Sequence, residues 1–80
     1  MTFIATFFSH FGAVRYLRLC EKKGYEAVIM PVPRSLSSSC GTCVKYDADE
    51  ALMDPSHDEI EKIVKCVSDR YENVYMADNI

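Results

Sequence analysis

The chain has 80 residues, 49% of them apolar, and a formal net charge of −3. That length supports one core with much surface left over, so a single domain over residues 1–80 is expected. The mild acidity gives no basic footprint for nucleic acid or an anionic membrane, no apolar run approaches the ~20 residues of a spanning helix, and no charged leader with a cleavage site opens the sequence. A soluble cytoplasmic protein follows, with neither nucleic acid nor membrane as partner.

In chain order, Thr2 to Phe8 is short and rich in β-branched and aromatic residues, as a central strand requires. Ser9 then stands as a helix N-cap; Ala13, Val14, Leu17 and Cys20 follow at helical spacing, and Gly24 closes the segment. Tyr25 to Val32 reads as a second strand, with Pro31 marking where its ladder ends or bulges. Thr42 to Asp47 reads as a third, with Thr42, Val44 and Tyr46 on one face and Cys43, Lys45 and Asp47 on a more polar one, where Cys43 makes a poor core filler. Asp54 with Pro55, and the Ser56 to Glu59 capping box, announce a second helix whose stripe is Ile60, Ile63, Val64 and Val67, with Cys66 beside it; Glu72 to Ala77 makes a fourth strand.

That order predicts an α+β, ferredoxin-like βαββαβ fold: an antiparallel four-stranded sheet with two helices on one face. The strands are apolar on both parities, so the uncovered face predicts a homodimer or a docked protein.

Pro31 to Cys43 is unlike the rest: two prolines, Arg34, the Ser37-Ser38-Ser39 triplet and Gly41 surround Cys40 and Cys43. Prolines fix φ, glycine permits positive φ, and serine hydroxyls or free amides can surround an anion. A reactive loop carrying a Cys40 thiolate follows, since a free thiol of pKa ~8.5 needs a cation or amide donors to ionise at neutral pH. Arg34 and the backbone from Ser37 to Gly41 are the candidate donors, and small neighbours would leave room for a persulfide. With no secretory signal, free thiols are the default. A structural zinc site would need Cys20, Cys66, His10 or His57 brought to the pair, so no metal or cofactor is expected.

The run Pro31-Val32-Pro33-Arg34 followed by Ser37-Ser38-Ser39-Cys40-Gly41, between two strands, resembles the small bacterial selenium/sulfur carrier-like proteins, a former domain of unknown function. The resemblance covers nearly the whole chain in length and element order. It implies a thiol carrier that holds sulfur or selenium on one cysteine, here Cys40, between a donor and an acceptor protein; beside that, the chemistry of the loop assigns Arg34, Ser38, Ser39 and Gly41 auxiliary parts, and leaves Cys43 auxiliary or neutral. Two alternatives stay open: a thiol-disulfide oxidoreductase using Cys40 and Cys43, and a non-catalytic interaction module. Redox Cys-x-x-Cys pairs of the thioredoxin type open a helix, whereas this pair leads into a strand. Extended backbone at ~3.3 Å per residue would also hold the two Cα atoms too far apart for a disulfide. Whether the chain is an enzyme, and whether it carries sulfur or selenium, is left open by the sequence.

Overall fold

The computed structural model of the chain describes residues 1–53 and 57–77. Five strands, β1 (Thr2–Phe7), β2 (Ala27–Pro31), β3 (Thr42–Asp47), β4 (Ile60–Val67) and β5 (Arg70–Met76), form one sheet in the order β2-β3-β1-β4-β5. Every neighbouring pair is antiparallel. Among the described residues there is a single α-helix, α1 (His10–Lys22), which follows β1, and a 3-10 turn at His57–Glu59 precedes β4.

Local chemistry sets the ends of α1. The Ser9 hydroxyl accepts from the Gly12 N–H at 3.2 Å, as an N-cap should. At the other end Gly24 takes φ +83, which lets its N–H reach the Glu21 carbonyl at 3.0 Å and the Tyr25 N–H reach that of Cys20 at 3.0 Å. This is a Schellman ending, and it turns the chain back into β2. The helix buries Ala13, Tyr16 and Cys20 against Phe3, Ala5 and Phe7 of β1, Val44 and Tyr46 of β3, and Ile60 and Ile63 of β4. The Tyr16 and Tyr46 hydroxyls are hydrogen-bonded at 2.9 Å; Tyr16 also donates to the Leu52 carbonyl, and Tyr46 accepts from the Leu52 N–H at 3.0 Å. These bonds satisfy two buried phenols and fasten the 48–53 segment over the same core.

The expected ferredoxin-like arrangement is overturned. Where a second helix was expected the chain forms β4, which turns at Ser68, φ 56, into β5. The expected cap at Asp54, Pro55 and Ser56 lies outside the described residues. The cause is a β-bulge: Ala5 pairs with Ile63 and Thr6 with Lys62, but Phe7 pairs with Ile60, leaving Glu61 as the extra residue. Ile60 and Ile63, three apart, therefore both face the helix from within a strand. Val64 faces the other side. A two-sided strand with a bulge thus reproduces an apolar spacing of 3 and 4 without any helix.

The second face also differs from expectation. Ile4, Cys43 and Val64 form a small core there, covered by Met30, Val32, Leu36 and Cys66. Val32 and Leu36 belong to the β2–β3 connection, so the chain covers part of this face itself. Val28, Val74 and Met76 remain exposed.

Candidate functional site

The β2–β3 connection runs across one end of the sheet, where β1 and β2 finish and β3 and β4 begin. Its base continues the ladder through a bond from the Val32 N–H to the Gly41 carbonyl at 3.1 Å. Pro33 to Leu36 forms a tight turn closed by the Leu36 N–H on the Pro33 carbonyl at 3.0 Å, which returns Leu36 to the second core. Arg34 falls at the exposed tip of that turn and makes no hydrogen bond or ion pair among the described residues. Ser37, just beyond the turn, is also exposed.

Past that turn the loop is tied to the strands beneath it. The Ser38 hydroxyl donates to the Phe7 carbonyl at 3.2 Å and lies 3.9 Å from the Cys40 sulfur. Ser39 bonds Glu61 twice, from its N–H at 3.3 Å and its hydroxyl at 2.8 Å. Cys40 is half-buried against the helix-side core, and its thiol donates to the Thr42 carbonyl at 3.4 Å. Gly41 takes φ +74, a conformation that a side chain would strain, and the chain then enters β3 at Thr42. With its one proton on the Phe7 carbonyl, the Ser38 hydroxyl stands beside the Cys40 sulfur as a neighbouring dipole.

The other cysteines have different surroundings. Cys43, which the alternation assigned to a polar face and rejected as core, is fully buried on that face because Leu36 and Val32 fold over it. Burial, with the neighbouring Cys40 charge second, pushes its thiol up to about 11. Its sulfur lies 3.7 Å from the Pro31 carbonyl. Cys20, under α1, is pushed up to about 12, chiefly by burial and then by Glu21. Cys66 is half-buried on β4 and raised by burial, with Lys45 opposing. All four thiols are free. Among the described residues no group of three or more histidines, cysteines and carboxylates lies close enough to hold a metal.

Of the residues chosen from sequence, the structure brings Cys40, Ser38, Ser39 and Gly41 together, leaves Arg34 at the turn tip, and places Cys43 beneath the loop in the core. Sequence reasoning missed Glu61 and Thr6. Thr6 is fully buried and donates to a Glu61 carboxylate oxygen at 3.2 Å. The open depression bounded by Glu26, Val28, Lys45 and Asp47 lies at the opposite end of β2 and β3 from Cys40.

Among the described residues, one helix on a five-stranded antiparallel sheet, with a half-buried thiol set among serines on an inter-strand loop, defines a small protein of the α+β class. The chain belongs to the family described as "Putative Se/S carrier protein-like", which it matches over residues 2–75. No curated protein and no solved structure matches it. No helix among the described residues is long and apolar enough to cross a membrane.

Proposed function

We propose that Cys40 is the carrier thiol, holding sulfur or selenium as a persulfide or selenosulfide for transfer between two proteins. The observation that carries this reading is the contrast among the cysteines: Cys20 and Cys43 lie fully buried, Cys66 lies within a strand, and Cys40 lies half-buried on a serine-lined loop. In transfer, the Cys40 sulfur attacks the outer sulfur of a donor persulfide. The donor S–S bond breaks, a new S–S bond forms at Cys40, and the donor leaves as its thiolate and takes a proton. The outer sulfur keeps its oxidation level, so no external oxidant is needed, and an acceptor thiol repeats the step. Once the sulfur is anionic, the Ser38 hydroxyl turns its proton from the Phe7 carbonyl to that sulfur, Gly41 gives the loop its bend, and Ser39 anchors it. Arg34 is exposed for the docked donor or acceptor. A reducing, cytoplasmic setting would keep the thiol available.

The disulfide-exchange alternative has less support, because Cys43 sits in the second core under Leu36. The homodimer reading rests on less surface than the sequence implied; Val74 and Met76 on the β5 edge remain its basis. Sedimentation at ~100 μM should give a dimer, and a monomer would end that reading.

The test of the carrier is sulfur uptake from a cysteine desulfurase supplied with cysteine, followed by intact mass. Wild type and Cys43→Ser should each gain about 32 Da per sulfur, and Cys40→Ser should gain nothing. Equal loss in both variants would favour the paired-cysteine reading.

A further inference from the structure

The β4 bulge does more than redirect the strand: it aims the Glu61 carboxylate at the loop that carries Cys40. One oxygen accepts from the buried Thr6 hydroxyl at 3.2 Å and from the Ser39 N–H at 3.3 Å, and the other accepts from the Ser39 hydroxyl at 2.8 Å. The Glu61 carbonyl still accepts from the Ala77 N–H at 3.0 Å, but on the β1 side the bulge leaves the residue without a partner, and bulges of this kind re-aim a side chain and recur beside functional sites. Thr6 fixes the carboxylate from within the sheet, so the loop is bonded to a group that is itself held. The next residue along the loop is Cys40.

We infer that Glu61 is the positioning residue of Cys40: a latch, anchored on Thr6, that grips Ser39 and so sets how far the Cys40 thiol is exposed. This gives the thiol two modes. With the latch closed, Cys40 lies half-buried with its S–H on the Thr42 carbonyl; with Ser39 released, the loop lifts at its thiol-bearing end while Leu36 still holds the other. The consequence for transfer rests on the carrier reading, but the latch itself does not.

Labelling of the free protein by iodoacetamide, read cysteine by cysteine, tests it without any sulfur donor. Losing the three hydrogen bonds that Glu61 accepts should speed Cys40 labelling by roughly tenfold in Glu61→Ala. Cys20 and Cys43, both buried, report in the same experiment that the sheet is intact. Two further variants separate reach from charge. Glu61→Asp keeps the charge but is one methylene short and should label like Ala; Glu61→Gln loses the charge but keeps the reach and an acceptor, and should label within about twofold of wild type. Ser39→Ala, at an exposed position that leaves the strands untouched, should speed labelling in the same direction by a smaller factor. Wild-type rates in both Glu61→Ala and Ser39→Ala, or Asp behaving like wild type while Gln behaves like Ala, would overturn the latch. Failure of Cys40→Ser to abolish sulfur uptake would instead overturn the carrier reading and leave the latch standing.

Discussion

The two faces of the sheet are covered by unlike means. On one, the 13 residues of α1 bring Ala13, Tyr16 and Cys20 onto the sheet, and both helix ends are closed by their own hydrogen bonds. On the other, a loop contributes Val32 and Leu36 and is kept in place largely by serines. Each face hides a fully buried thiol, Cys20 under the helix and Cys43 under the loop. The difference separates duties: the helix provides the extensive cover, while the loop covers the second face with two side chains and crosses the end of the sheet to set Cys40 against the helix-side core, and so slight a cover is the one that should open first.

If the helix face carries the fold, the largest loss should come from its aromatic centre. Phe7, fully buried and 5.2 Å from the Tyr16 ring between centroids, should cost about 3–5 kcal/mol as Phe7→Ala in urea unfolding. A loss under about 1.5 kcal/mol would move the weight of the fold elsewhere. Next is the seam where helix and sheet meet. A Cβ on Gly12 would lie 2.9 Å from the Glu59 Cβ, and Glu59 also accepts from the Ser9 hydroxyl at 2.6 Å. Gly12→Ala should therefore cost about 1–3 kcal/mol by forcing the two apart.

On the loop face the stability loss should be smaller and the change in access larger. Leu36→Ala removes a half-buried side chain and should cost about 1 kcal/mol, while alkylation of Cys43 speeds up and that of Cys20 does not. Equal acceleration at both thiols would mean that the faces open together. The smallest effect near neutral pH is electrostatic. The unfolded chain releases thiol protons near 9.0, whereas native Cys43 and Cys20 hold theirs to about 11 and about 12. Between pH 9 and the native values the unfolded state binds fewer protons, so these thiols should leave stability flat below about pH 9, make it fall as pH rises from there, and add no further slope above the native values. Cys43→Ala and Cys20→Ala should each flatten the fall; no slope up to pH 11 would show that the thiols are not held neutral in the native state.

The sequence read well wherever a local rule decides. Ser9, Gly24 and the stripe through Ala13 and Cys20 located α1, and the β-branched runs located β1, β2 and β3, including the start of β3 at Thr42. It misled at Ile60 to Val67, where the bulge at Glu61 and burial on both faces imitate helical spacing. The density of Ile and Val in those eight residues, followed by Ser68-Asp69, was the available sign of a hairpin. At the site, composition pointed to Cys40 and its serines. It could not reveal that Arg34 tops a turn, that Leu36 buries Cys43, or that Glu61 reaches Ser39 across 22 residues, because each depends on how the loop folds over the sheet.

The most direct test of the central claim is to locate the transferred sulfur itself. The protein is charged by a cysteine desulfurase supplied with isotopically labelled cysteine, trapped by alkylation, digested, and mapped peptide by peptide. The account expects the label on Cys40, with Cys20, Cys43 and Cys66 unmarked. Label on Cys66, or spread evenly over the four thiols, would contradict it.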